Sequence, residues 1–125
     1  MKITLEELEI KVIDWAEDKQ IFSKATRSKQ FDLTQEKVTE LKEAITKIEF
    51  IYGQLNYPRD KYLTQIEIDE HLEIMDAIGD IIFTLIIQAK MNGVNIQRCL
   101  QLAYEEIKNK WNTEGKKLIM CILVC

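Results

Sequence analysis

The sequence has few of the residues that interrupt helices. It contains one proline and four glycines among 125 residues, and these two residue types mark most turns and helix ends. Their scarcity predicts long helices joined by few loops. We therefore expect an all-α fold, an antiparallel bundle of four main helices. One domain is expected over 1–125, with 111–125 as an uncertain C-terminal extension.

Paired cysteines, excess positive charge and long apolar runs are also missing. The three cysteines have no CxxC spacing, which predicts neither a disulfide framework nor a zinc site and fits a reducing, cytoplasmic location. A net charge of −4 argues against binding to duplex nucleic acid. The N-terminus lacks the pattern of a signal peptide. The apolar run at 81–87 is far too short to span a bilayer, so no membrane contact is expected.

Apolar spacing predicts four helices, at 4–18, 31–52, 65–91 and 96–110. The first starts with Thr4 and Glu7 in the pattern of a capping box. Its expected apolar stripe is Leu5, Leu8, Val12 and Trp15. The segment 19–30 has no clean period and is interpreted as a loop with a short turn of helix at most.

The third predicted helix is apolar on nearly every side from 81 to 87. A helix of this kind must be enclosed on most of its surface. Four helices of this size are too few to enclose it within one chain, so we expect oligomerisation to complete the bundle. The expected assembly is a homodimer or a homotetramer.

Four carboxylates form a line along the third predicted helix. They are spaced i, i+4, i+7 and i+11, at Asp69, Glu73, Asp76 and Asp80. Like charges at such spacings repel each other, whereas oxygen ligands on successive turns can hold a hard divalent cation between helices. The line therefore predicts a face that binds a cation such as Mg²⁺.

The second predicted helix carries a matching set of glutamates. They are Glu36, Glu40 and Glu43. Glu40 adjoins the apolar stripe, from which its carboxylate would point toward the acidic line. The alternative interpretation is a solvated surface, because lysines interleave with these glutamates at positions 37, 42 and 47. The third helix fits that alternative less well, since no lysine or arginine occurs between 69 and 79.

With these patterns in view, the chain resembles the MazG-like nucleotide pyrophosphohydrolases of the all-alpha NTP pyrophosphatase superfamily. The similar stretches are 29-KQFDLTQEKVTELKEAI-45, 73-EIMDAIGDIIFTLI-86 and 100-LQLAYEEIKNK-110, after an N-terminal helix with Trp15. The second stretch looks like the phage and bacterial members. The resemblance, over about 5–110, implies hydrolysis of nucleoside triphosphates or dNTPs to the monophosphate and pyrophosphate. Such enzymes clean nucleotide pools with Mg²⁺, or Mn²⁺, as cofactor.

The resemblance also implies roles for individual residues. Glu73 and Asp76 match the family's ExxD motif and, with Glu36 and Glu40, would ligate the metal. Glu36 and Glu40 would also be the catalytic residues. The candidate substrate-binding residues are Asp80, Lys108, Asn109, Lys110, Trp15 and Lys29. Alternatively, Trp15 is a core aromatic, and the lysines near 110 are cations at a helix C-terminus.

Lys37 departs from the family, which has a ligand glutamate at this position. Its ammonium could replace the metal and pair with Glu40 or Asp76, it could point outward while Glu36 ligates, or it could contact a phosphate. The change swings the local charge by two units and predicts weakened metal binding. The alternative function is therefore a catalytically weakened or inactive MazG-like protein that binds a nucleotide or a partner. A purely structural helical oligomer would leave the acidic line unexplained.

Overall fold

The structure, a computed structural model, describes residues 2–52 and 65–113, with side chains for 2–50 and 71–110. Within these residues it contains helices and no strand, which confirms the all-α class. The helices are α1 (Leu5–Asp18), α2 (Ile21–Lys24), α3 (Arg27–Tyr52), α4 (Gln65–Met91) and α5 (Ile96–Thr113). No helix of the described part of the chain is long and apolar enough to cross a membrane. Helix α5 includes 111–113, and the rest of the predicted C-terminal extension, 114–125, lies outside the described residues.

Helix α1 begins where the sequence predicts. Thr4 is its N-cap, and the Thr4 Oγ1 accepts a hydrogen bond from the backbone N–H of Glu7 at 3.1 Å. The helix is turned relative to its expected stripe, because its buried residues are Glu9 and Ala16. Three of the four predicted stripe residues keep 42–44% of their surface exposed, namely Leu5, Leu8 and Trp15.

The prediction of a loop over 19–30 is wrong in its second half. Helix α3 begins at Arg27 rather than at 31, because Thr26 caps it: the Thr26 Oγ1 accepts the backbone N–H of Lys29 at 3.1 Å. The short helix α2 fills the first half after a tight turn at Gln20, which has a left-handed backbone with φ 59°. Helix α5 also extends three residues past its predicted end at 110.

Helices α3 and α4 form an antiparallel pair. Near the start of α3, the Gln30 Nε2 donates to the Thr84 carbonyl at 2.9 Å. Nearer its end, the Lys47 Nζ lies 3.3 Å from the Glu73 Oε1. Residue numbers therefore rise along α3 while those of their partners fall along α4, which confirms the antiparallel arrangement for these two helices.

The interface between these two helices around Gln30 is closed and uncharged. Gln30, Thr34 and Thr84 are buried, with at most 7% exposure. The Thr34 hydroxyl donates to the Thr84 hydroxyl at 2.9 Å, which in turn donates to the Ile81 carbonyl at 2.8 Å. Every side chain in this chain of hydrogen bonds is neutral and has a partner, as buried polar groups require. We call this region the sealed end.

The turn after α4 depends on a glycine. Gly93 has φ +75°, a conformation that side chains disfavour. The Val94 N–H donates to the Ala89 carbonyl at 3.0 Å, which gives the helix end the geometry of a Schellman motif. Asn95 then caps α5, because its Oδ1 accepts the backbone N–H of Arg98 at 2.8 Å. The chain thus reverses between two long helices within a few residues.

A buried carboxylate attaches α5 to α1. Glu9 is only 5% exposed. Its Oε2 accepts the backbone N–H of Ile96 at 2.8 Å, and its Oε1 accepts the Gln97 Nε2 at 2.8 Å. A carboxylate at a helix N-terminus also interacts favourably with the helix dipole. Both oxygens of this buried charge therefore have hydrogen-bond donors.

One side of α4 stays open in the single chain. Ile86 and Ile87 are buried at 3% and 2% exposure. Five other apolar side chains of the helix retain 36–64% of their surface, and they are Leu72, Met75, Ile78, Ile82 and Leu85. We call these five the α4 apolar face. Only Ile82 and Leu85 of this face belong to the apolar run at 81–87, so one chain covers most of that run and leaves the surface before it more open.

Candidate functional site

Acidic side chains of α3 and α4 surround one open cleft of about 320 Å³. Its lining residues are Glu40, Glu43, Ala44, Lys47, Glu73, Asp76, Ala77 and Asp80. Five of these eight carry a carboxylate and one carries an ammonium. We call this site the acidic cleft, and its excess of negative charge makes it a place for a cation or a cation-bound ligand.

The position of the cleft follows from spacing along the two helices. On α3 the charged lining residues are Glu40, Glu43 and Lys47, at i, i+3 and i+7. On α4 they are Glu73, Asp76 and Asp80, with the same spacing. Side chains three and four residues apart lie on the same face of a helix. Because the helices are antiparallel neighbours, the two faces meet along one line.

Two alanines form the floor of the cleft. Ala44 is 9% exposed and Ala77 is 6% exposed, one on each helix. An alanine fills little space above the backbone, so the carboxylates around it stand over an open volume instead of over packed side chains. The charged groups themselves remain accessible, and the Glu73 side chain is 52% exposed.

The structure brings together most of the predicted ligands. Glu40, Glu73, Asp76 and Asp80 all line the acidic cleft. Glu36 does not line it, and Glu43 occupies the second glutamate position instead. The i+3 spacing from Glu40 is the sequence signal for Glu43, because it repeats the spacing of the opposite pair. Asp69 belongs to α4 but lies outside the described side chains.

Two lysines pair with carboxylates at the cleft. The Lys37 Nζ lies 3.5 Å from the Glu40 Oε2, and the Lys37 side chain is 26% exposed. The Lys47 Nζ lies 3.3 Å from the Glu73 Oε1 across the helix pair. Pairing with Glu40 is the first of the three arrangements considered for Lys37. Solvent-exposed pairs of this kind contribute about 0–1 kcal/mol, so a more strongly bound cation could displace them.

The side chains are not gathered around a single metal position. Within residues 2–52 and 65–113, no three Asp, Glu, His or Cys side chains come close enough together to hold one ion. The donors of the acidic cleft are nevertheless carboxylate oxygens, which are the ligands that Mg²⁺ and Mn²⁺ prefer. The cleft therefore matches such an ion in its chemistry, and rotation of exposed side chains would be needed to converge on it.

Trp15 lies away from the acidic cleft. Its ring packs edge-on against Phe83 of α4, with centroids 5.2 Å apart and an angle of 73° between the planes. Such a T-shaped contact is a favourable aromatic packing geometry. Trp15 therefore joins α1 to α4, but 44% of its surface stays exposed, so it is not buried as a core aromatic would be.

The predicted basic residues of α5 have other contacts. The Lys108 Nζ lies 5.7 Å from the ring centroid of Tyr104. The Lys110 Nζ donates to the Glu106 Oε1 at 2.8 Å, and this hydrogen bond and the ammonium charge lower the pKa of Glu106. Asn109, like Lys29 on α3, is exposed. None of these residues lines the acidic cleft.

Comparisons of the chain with models of known protein families, with curated proteins and with solved structures find no match.

Proposed function

We propose that this chain is a Mg²⁺-dependent nucleotide pyrophosphohydrolase of the MazG-like type, which converts nucleoside triphosphates or dNTPs to monophosphates and pyrophosphate. One observation carries the proposal: the acidic cleft gathers five carboxylates from two neighbouring helices on an accessible surface. Two lysines offset only part of this negative charge, and the acidic side chains repel each other. A bound cation would offset this repulsion and would link the carboxylates to an anionic substrate.

The proposed roles follow the cleft geometry. Glu40, Glu73 and Asp76 would hold Mg²⁺ or Mn²⁺, which when bound would neutralise phosphate charge and lower the pKa of a water ligand. Glu43 is better placed than Glu36 to accept a proton from an attacking water or to orient it, because Glu43 lines the cleft. Asp80 lies one turn further along α4 and would accept hydrogen bonds from ordered water.

A second candidate is the same fold with weak or no turnover. It is favoured by the two lysines, because Lys37 pairs with Glu40 and Lys47 pairs with Glu73. An ammonium supplies one positive charge where a divalent ion supplies two, so it satisfies the carboxylates without activating water. Such a protein would bind a nucleotide or a partner and would not hydrolyse it.

The first experiment is pyrophosphate release from a panel of NTPs and dNTPs, with and without Mg²⁺. We expect metal-dependent release from at least one nucleotide. A matched pair of variants tests the roles: Glu43→Gln should lower the rate about a hundredfold if it orients water, whereas Glu36→Gln should lower it less than threefold. Equal losses in both variants would contradict the assignment of Glu43.

A charge-reversal variant separates the two candidates. If the wild-type chain releases no pyrophosphate from any nucleotide, Lys37→Glu should restore release by freeing Glu40 and adding a carboxylate. Lys42→Glu, on the same helix but outside the cleft lining, is the control and should restore nothing. Full turnover by the wild type at physiological Mg²⁺ would instead exclude the second candidate. No release by either protein would refute the enzyme proposal.

We also propose that two copies of the chain pair through the α4 apolar face. The charged side chains of α4 near this face, Glu73, Asp76 and Asp80, lie in the acidic cleft, toward α3. Burying the apolar face against an identical one therefore brings no carboxylates together. The exposed set is also spaced in steps of three and four residues from Met75 to Leu85, which is the spacing of helix–helix seams.

Sedimentation tests this pairing. The chain has a mass of 14.7 kDa, and we expect the wild type to sediment as twice that mass, or four times in a homotetramer. Met75→Lys should give a monomer with unchanged helical circular dichroism. Leu100→Lys, a change of the same kind at an exposed position of α5, should leave the assembly intact. A monomeric wild type at micromolar concentration would refute the proposal.

A further inference from the structure

A second cleft lies on the surface just beyond the sealed end, where α3 begins and α4 ends. It measures about 530 Å³ and is lined by Glu17, Phe22, Ala25, Arg27, Lys90 and Met91. Glu40 lies thirteen positions after Arg27 on α3, which corresponds to about 20 Å along the helix axis. The two clefts are therefore separate sites. We call this one the α2 cleft, because α2 and its flanking residues form one wall.

The α2 cleft gathers positive charge in a chain that is negative overall. Arg27 begins α3 and Lys90 lies in the last turn of α4, so the two cations come from different helices. Neither forms an ion pair with a carboxylate within the described part of the chain. Their place beside the C-terminus of α4 is electrostatically favourable, and it leaves both charges accessible to a ligand.

Arg27 has one contact with the end of α4 and further donors available. Its Nε donates to the Met91 carbonyl at 3.4 Å, which ties it to the end of α4. A guanidinium has five N–H donors in a planar fork, so four remain. An arginine that uses one nitrogen for this contact can present the others to an anion.

The remaining walls suit a ring. Phe22 and Ala25 are half-buried in the cleft beside Met91. The left-handed turn at Gln20, which costs free energy for a residue other than glycine, brings α2 back after α1 and places Phe22 on this wall. Glu17 adds a carboxylate, which accepts hydrogen bonds from N–H or O–H groups.

We infer that the α2 cleft binds a small molecule that joins a phosphate to a planar ring, as a mononucleotide does. A phosphate group carries a charge of about −1.5 to −2 at neutral pH, which matches two cations from separate helices. The ring would stack on Phe22, as bases do on aromatic side chains, and its amino group would donate to Glu17. This inference does not depend on the acidic cleft or on any metal.

The test is a titration of the whole chain with dAMP in EDTA, followed by amide chemical shifts. EDTA removes the metal that nucleotide binding at the acidic cleft would need, so failure here and failure of pyrophosphate release are independent results. Saturable shifts are expected at Phe22, Arg27 and Lys90, with little change at Glu40 and Asp76. Absence of saturable shifts around the α2 cleft would overturn the inference.

Three further probes identify which parts of the ligand are recognised. Ribose 5-phosphate lacks the planar base, and adenosine lacks the phosphate. Each should bind at least about tenfold more weakly than dAMP. Inorganic phosphate tests the anion alone. If inorganic phosphate binds as tightly as dAMP, the site holds an anion only and the proposed ring recognition is wrong.

Variants that remove one positive charge complete the test. Lys90→Gln and Arg27→Gln should each raise the Kd for dAMP about tenfold or more, as expected for loss of a charge-assisted contact to phosphate. Lys90→Gln is the cleaner variant, because Arg27 also bonds the Met91 carbonyl. Lys19→Gln is the control, since Lys19 is an exposed lysine close in sequence that lines neither cleft. Equal Kd values for Lys90→Gln and Lys19→Gln would contradict the inference.

Discussion

Two regions of the α3–α4 pair, the sealed end and the acidic cleft, are built from the same helices and behave as opposites. At the sealed end, Gln30, Thr34 and Thr84 are buried and neutral, and their hydrogen bonds are satisfied within the pair. At the acidic cleft, charged groups stand half-exposed over two alanines. The polar groups of the sealed end hold the two helices together, whereas those of the acidic cleft are accessible to a ligand.

This contrast separates stability from chemistry along a single helix pair. Buried neutral hydrogen bonds contribute about 1 kcal/mol each to the free energy of unfolding. Exposed like charges lower that free energy slightly, and they form favourable interactions only when a ligand of opposite charge binds. Substitutions in the two regions should therefore act on different measurements, with activity affected at the acidic cleft and stability at the sealed end.

Asp76→Asn should lower pyrophosphate release about a hundredfold, because it removes a proposed ligand. The same change should leave the melting temperature unchanged or slightly higher, since one member of a repelling line loses its charge. Release assays and calorimetry on the same sample measure both. Asp32→Asn, an exposed position of α3 outside the cleft, is the control. A hundredfold loss in that control would undermine the assignment.

Glu9→Gln should lower the free energy of unfolding by about 2 kcal/mol, because it replaces a charge-assisted acceptor with an amide. One oxygen would remain for two donors, and the new NH₂ group would face the Ile96 N–H or the Gln97 side chain. Urea denaturation measures the loss. Glu6→Gln on the exposed face of α1 should change stability by less than about 0.5 kcal/mol. Equal stability of the two variants would show that the buried carboxylate is dispensable.

Thr84→Val should cost about 1 kcal/mol and leave catalysis unchanged per folded molecule. The loss is limited because the Thr34 hydroxyl can turn to the Gln30 carbonyl, 3.2 Å away. Thermal denaturation should show a melting temperature about 3 °C lower. Thr46→Val, whose hydroxyl bonds only the Lys42 carbonyl on an exposed surface, should change it less. A drop in turnover alone would break the separation of the two ends.

Lys110→Gln should raise the pKa of Glu106, because the hydrogen bond and the charge of Lys110 lower it in the wild type. A carboxyl pKa depressed by folding contributes stability above the unfolded value, and that contribution is lost as pH falls through the folded value. The destabilisation should therefore appear at neutral pH and vanish in acid. Carboxyl chemical shifts followed from pH 6 to pH 2 check the pKa. An unchanged titration would contradict the ion pair.

Much of this architecture follows from residue spacing. The 3.6-residue period located α1, most of α3 and all of α4, and Thr4 marked the first helix start. The acidic line of α4 was visible as unpaired like charge. Its partner, Glu40, was visible because it adjoins an apolar stripe. Local pattern is enough here because i, i+3 and i+7 positions share a face whatever the tertiary fold.

The remaining features depend on contacts between distant segments. Glu9 sits four residues after Leu5, at a position where an apolar side chain would be expected, and the sequence does not say which donors it meets. Those donors lie 87 and 88 residues away. The choice of Glu43 over Glu36 depends on how α3 is rotated against α4. The early start of α3 depends on the cap formed by Thr26, and the residues around Thr26 have no apolar period that would indicate a helix.

Because Ala44 and Ala77 line the acidic cleft, its volume can change without any change in its charge. Neither carries a charge or a hydrogen-bonding group in its side chain, yet together they set how much room the carboxylates enclose. The cleft can thus be graded in volume, from glycine through alanine to valine, without altering one ionisable group. Selection for a larger or smaller ligand could proceed at these two positions while the electrostatics of the site stay constant.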